Sequence, residues 1–233
     1  MEILQTIRSQ NSSIKNRLST MTSTPFETNL HRQLAPFFAE NGYAFLPERK
    51  QFRRATSSGF QNIVLSSVFY TEDTVVEVNF GGRNEQIEQI AQQFLQTESD
   101  SRLDANTFLL SIGRFDGFQN FRYKIHLENE LADVCGQIEL FFTTRGFAFL
   151  ETASLLPTLD RLLNEFSNQP SQYVYNQTHR CYKGLIAARL NHNSHFDSLV
   201  DNYRHLLLRL TQNPYEQLHF ERLIQYLQHY SAN

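Results

Sequence analysis

Arg49-Lys50-Gln51-Phe52-Arg53-Arg54 is the densest positive run in the chain. A phenylalanine set among cations is how a single-strand binder stacks a base while its charges follow the phosphates. The same residues suit an edge strand that buries Phe52 and turns its charges outward, where they block edge-to-edge pairing; we read the run that way. Gly81-Gly82-Arg83-Asn84 stands just before a helical pattern, where unpaired amides and the helix dipole favour an anion. It has neither the spacing of a phosphate loop nor its Lys-Ser/Thr, so a tight strand-to-helix turn is the simpler expectation. Should the chain hold a small anionic ligand, Arg53, Arg54, Gly81, Gly82 and Arg83 are the residues to receive it, with Arg114 a further guanidinium.

His192 and His195, with His179, Cys181 and His205 near them, are the only metal-ligand candidates. The two histidines fall in an expected loop, and no second ligand pair of recognised spacing accompanies them. Solvated loop histidines explain them, as a solvent-facing helix explains Asp197 and Asp201. There is no Gly-x-Ser-x-Gly elbow, and neither Cys135 nor Cys181 sits in a motif that activates a thiolate. Glu72, Asp73 and Glu77 gather near a hairpin without a partner of matched role. No catalytic residue, metal or other cofactor is therefore expected.

Stepping from these groups to the frame that carries them, 233 residues with 40% hydrophobic and 19% charged content can bury a substantial core. A net charge of -3 argues against nucleic acid as a bulk electrostatic partner. Two cysteines give no disulfide framework, and no apolar run is long enough to span a bilayer, so a cytoplasmic protein without a membrane partner is expected.

Leu4, Ile7, Asn11, Ile14, Leu18 and Met21 alternate at three and four residues, predicting an N-terminal helical arm over 1–22. It suits packing on its own domain, or pairing of two subunits through Leu4, Ile7, Ile14 and Leu18. Thr24-Pro25-Phe26-Glu27 is a capping box, and Asn41-Gly42 a stop, for a helix whose interior proline, Pro36, predicts a bend. Extended segments follow over 43–46, 51–55, 60–70 and 74–80. Then comes a helix capped by Asn84 with the stripe Ile87, Ile90, Ala91, Phe94 and Leu95. Two further extended segments, 107–112 and 118–126, flank a turn at Phe115-Asp116-Gly117. After these, helical spacing dominates: Leu127 to Phe142 ended by Gly146, Leu155 to Phe166 capped by Ser154, then 182–190, 196–210 started by Ser194, and 215–230 started by Asn213-Pro214. Gln33 to Leu46 and Gln137 to Leu150 align without gaps, and both read as helix, glycine stop and extended exit. The pattern as a whole predicts an α+β fold, with an antiparallel sheet covered by helices over 23–126 and a helical part over 127–233 packed on it, the two forming separate units or one continuous domain.

The order of several pieces resembles the bacterial domain-of-unknown-function family 4304. They are Asn41-Gly42-Tyr43 at a helix end, the Phe52-Arg53-Arg54 strand, the meander from Ile63 to Phe80, and Arg145-Gly146-Phe147-Ala148-Phe149-Leu150-Glu151. This chain lacks the tryptophan usual there before the helix at Leu127. The resemblance implies no activity, cofactor or site residue. With 20 Phe and 10 Tyr and no catalytic constellation, the expectation is a non-catalytic binding protein of immunity or accessory type that engages another protein. The alternative is an enzyme or small-ligand binder with an anion-accepting site between the sheet and the helices.

Overall fold

The structure is a computed structural model that describes residues 24–95, 102–118 and 120–230. The expected N-terminal arm, with its candidate dimer seam Leu4, Ile7, Ile14 and Leu18, lies outside these residues. Helix α1 (Pro25–Glu40) begins on the full capping box: Thr24 Oγ1 accepts from the Glu27 amide at 3.2 Å, and the Glu27 carboxylate accepts from the Thr24 amide at 3.3 Å. It runs without interruption through Pro36 and stops at Gly42, whose φ of 83° suits a residue without a Cβ.

Strands β1 (Ala44–Leu46), β2 (Gln51–Thr56), β3 (Gly59–Phe69), β4 (Thr74–Asn84), β5 (Phe108–Ser111) and β6 (Tyr123–Ile125) form an antiparallel sheet in the order β1-β2-β3-β4-β5, with β6 on the first residues of β4. In register, Phe52 faces Ile63, Ile63 faces Phe80 and Leu65 faces Val78. Period-two alternation thus gathers these side chains on one face. On it pack α1, α4 (Leu131–Phe141), a π-helical turn (Phe142–Gly146) and α5 (Phe147–Ala153). The contact is aromatic. Phe38 stands 4.6 Å from Phe52 and 5.2 Å from Phe142, and Phe80 meets Phe141 at 5.3 Å and Phe149 at 5.8 Å.

Three expectations are corrected here. Gly81 and Gly82 belong to β4 rather than to a turn: a Cβ on Gly81 would lie 2.2 Å from the Phe108 carbonyl oxygen, so the glycines admit β5 alongside the strand. Gly146 ends no helix. Its φ and ψ are helical, and 147–150 continue as helix rather than as an extended exit; the missing Cβ makes room for the Phe142 ring, which a Cβ there would meet at 2.6 Å. The echo of 33–46 in 137–150 is therefore one of composition, with different structures after the glycine. Ser154 does not cap the next helix, since its hydroxyl donates to the Leu150 carbonyl and accepts from Gln61 Nε2.

Asn84 Oδ1 caps α2 (Glu85–Ala91) through the Ile87 amide, and the stripe's Phe94 and Leu95 follow in a turn beyond the helix. The short helix α3 (Ile112–Phe115) precedes Gly117, whose φ is 82°. The C-terminal part is helical: α6 (Leu156–Asn164), α7 (Gln177–Leu190), α8 (Phe196–Leu210) and α9 (Pro214–His229). Helix α7 touches α2, α6, α8 and α9, and from Arg180 to Ala188 every side chain is buried. Arg180 is held inside by donating to the carbonyls of Leu163, Phe166 and Gln169 at the end of α6 and just beyond it. Asp160, also buried, accepts from the amides of Asn164, Asn191 and Asn193 at 2.6, 2.7 and 2.8 Å and so fixes the α7–α8 loop. Ser194 does not start α8 as expected: the residue before the helix is His195, without a side-chain cap, and Asn193 Oδ1 accepts from the His195 amide at 2.9 Å. Residues on both sides of position 126 share one hydrophobic cluster.

Candidate functional site

Three of the arginines singled out in sequence, Arg49, Arg53 and Arg83, meet at the segment 102–107 that leads into β5. Arg83, 4% exposed, donates to Glu85 at 2.7 Å and to the carbonyls of Arg102 and Ala105 at 2.9 and 3.0 Å. Arg49 and Arg53 both donate to Asp104, and the Arg53 guanidinium lies 3.8 Å over the Phe60 ring. Burial first, then Arg49 and Arg83, lower the Arg53 pKa. Arg54 projects on the other face, over Tyr43, bonded to Gln61 at 2.7 Å and to Glu151. These cations are thus occupied by the protein's own carboxylates and carbonyls, and Gly81 and Gly82 lie inside the sheet. Arg114 stacks on Tyr175 at 4.4 Å and donates to the Ser171 carbonyl.

A fourth cation reaches the same segment from the helical side, and the sequence reading had passed over it. Lys183 of α7 donates to the Asn106 carbonyl at 2.7 Å and pairs with Glu88 of α2 at 2.9 Å, with side chains 5% and 1% exposed. Glu88 also accepts from the Thr107 hydroxyl at 2.9 Å, which in turn accepts from the Asn84 amide. The signal was present: Glu88 follows Asn84 by four residues and precedes Ala91 by three, on the buried side of its helix. Lys183 sits in a run, Arg180 to Ala188, that is buried on every side, so its ammonium meets its partners inside the fold.

Above this ion pair lies a cleft of about 420 Å³ between β5 and α7. Leu109, Val174 and Tyr175 form its apolar walls, and Asp104, Asn106, Thr107, Asn176, His179 and Lys183 its polar ones. Burial, and next Lys183, lower the His179 pKa, against a smaller opposing effect of Glu216. Asn106 Oδ1 is shielded from solvent without a hydrogen-bond partner, a state that costs about 1–3 kcal/mol. Clefts with few polar groups at the seam between layers are where small ligands bind.

A different surface opens at the start of α1. Pro25, Phe26, Phe69, Ile125 and Leu127 line a groove of about 530 Å³, with Phe26 and Phe69 edge to face at 5.7 Å. Of this lining, Phe69 and Leu127 are 49% and 61% exposed. Glu72 and Asp73 form the hairpin turn at its outer end, and Glu130 accepts from the His126 and Leu127 amides.

His192 and His195 are both exposed on the α7–α8 loop, and His192 has a φ of 53°. Among the described residues, no group of three or more His, Cys, Asp or Glu side chains could hold a metal ion. Burial pushes the Cys135 thiol up to about 11 and Cys181 to about 12, the reverse of nucleophile activation. No described helix is long and apolar enough to cross a membrane. Comparison with family models, with curated proteins and with solved structures found no match to this chain.

Proposed function

We propose that this is a cytoplasmic, non-catalytic binding protein that engages a segment of another protein in the groove beside α1. The observation that carries the reading is a groove lined by Phe26, Phe69, Ile125 and Leu127 in which Phe69 and Leu127 are 49% and 61% exposed. Contiguous apolar surface rimmed by polar groups marks interaction sites. The rim here is acidic through Glu72, Asp73 and Glu130, with His126 paired to Asp73. The partner segment therefore presents apolar anchors flanked by lysine or arginine. Two buried free cysteines suit a reducing compartment.

Selection of displayed random peptides on the full chain tests this. Enriched peptides should carry apolar anchors with basic flanks and lose binding to the Phe69→Asp and Leu127→Asp variants. A selection that yields no shared pattern, or peptides indifferent to both variants, contradicts it.

A further inference from the structure

The cleft over the Lys183–Glu88 pair lies away from the apolar groove and has a different chemistry. An ammonium has three hydrogens, and Lys183 Nζ has two acceptors, Glu88 Oε1 and the Asn106 carbonyl. Its side chain is buried yet forms part of the cleft wall. The remaining hydrogen asks for an acceptor, and a carboxylate supplies the strongest. Beside it, the Asn106 side-chain oxygen lacks a donor. The Asn106 backbone oxygen is only 2.7 Å from Nζ, so the two unmet needs sit within a few bonds of one another. Leu109, Val174 and the Tyr175 ring continue the wall as apolar surface.

We propose that this cleft binds a small 2-hydroxy carboxylate, its carboxylate on Lys183 Nζ, its hydroxyl donating to Asn106 Oδ1 after a turn of that side chain, and its apolar body against Leu109, Val174 and Tyr175. Neighbouring charge narrows the class. Asp104 lines the same cleft, so the single charge of a carboxylate is repelled less than a phosphate dianion would be, and the ammonium of an amino acid would face Lys183. A hydroxyl is neutral and meets neither objection. His179 and Asn176, four and seven residues before Lys183, place polar groups along about 10 Å of α7. That length accommodates an acid with a ring on its third carbon.

Isothermal titration of the full chain with 3-phenyllactate tests the site, with 3-phenylpropionate and 3-phenyllactamide as comparators. Saturable binding of phenyllactate is expected, with the acid lacking the hydroxyl and the neutral amide each weaker by roughly tenfold or more. Asn106→Ala removes an unpaired buried acceptor and so should fold as well as the parent; in it the two acids should bind equally. Lys183→Met combined with Glu88→Leu replaces the ion pair by apolar volume, and this variant, checked for native circular dichroism, should lose preference for the acid over the amide. Absence of saturable phenyllactate binding at concentrations on the order of 10 mM overturns the proposal. So does a hydroxyl preference that survives Asn106→Ala, or an acid preference that survives the double replacement.

Discussion

A Cβ at position 146 would meet the Phe142 ring at 2.6 Å, whereas one at position 136 would touch nothing within 4 Å. The two glycines share one helical run, so their alanine variants should move stability in opposite directions. Gly136→Ala should stabilise by about 0.4–1 kcal/mol through a less flexible unfolded chain and better helix propensity. Gly146→Ala should destabilise by about 1–3 kcal/mol through overpacking. Urea unfolding of both variants reads the contrast, and equal effects would contradict the close ring approach. His31 offers a second test. Its ring is 3% exposed, 4.7 Å from Phe45, and its Nε2 lacks a partner. Burial lowers its pKa below the ordinary 6.5, Glu27 opposes that shift, and Lys50 adds to it. The unfolded chain therefore takes up a proton that the folded chain refuses. Stability from this residue is present above about pH 6.5 and is lost as pH falls from there through the folded pKa. Urea midpoints between pH 7.5 and 5 should fall for the parent and fall less for His31→Phe.

At the scale of elements, the junction between α2 and α7 depends on Glu88 and Lys183 together. Removing one charge strands the other in the interior, so Glu88→Leu alone should cost about 3–5 kcal/mol, and adding Lys183→Met should recover most of it. Calorimetric melting of the single and double variants distinguishes this from simple loss of packing, in which the second change would add to the first. The α1 capping box was legible residue by residue, since Thr24, Pro25 and Glu27 act through local geometry. The glycines were not. Gly42 ends a helix, Gly81 admits a neighbouring strand and Gly146 admits a ring from its own helix. One residue type serves three purposes, and only the partner, distant in sequence or folded against it, decides which. Ser154 was misread for the same reason: its hydroxyl meets Gln61 across the fold instead of the next amide along the chain.

For the whole molecule, periodicity was enough to give the α+β class, the meander from β1 to β4 and the helical C-terminal part. The candidate surfaces were harder to read, because each is assembled from segments far apart. The groove joins the start of α1 to a hairpin end and to β6, and the cleft joins β5 to α7. The charged cluster at 49–54 drew attention in sequence, yet its arginines are spent on Asp104, Gln61 and Glu151 in the fold. Phe69, which looks like an ordinary strand residue in sequence, is among the large apolar side chains left half exposed. Amide hydrogen exchange of the full chain, with and without a peptide recovered by selection, tests the groove directly. The account predicts added protection over 25–30, 68–75 and 123–131, with the α8–α9 hairpin unchanged; protection confined to α8 and α9, or to the cleft beside α7, would contradict it.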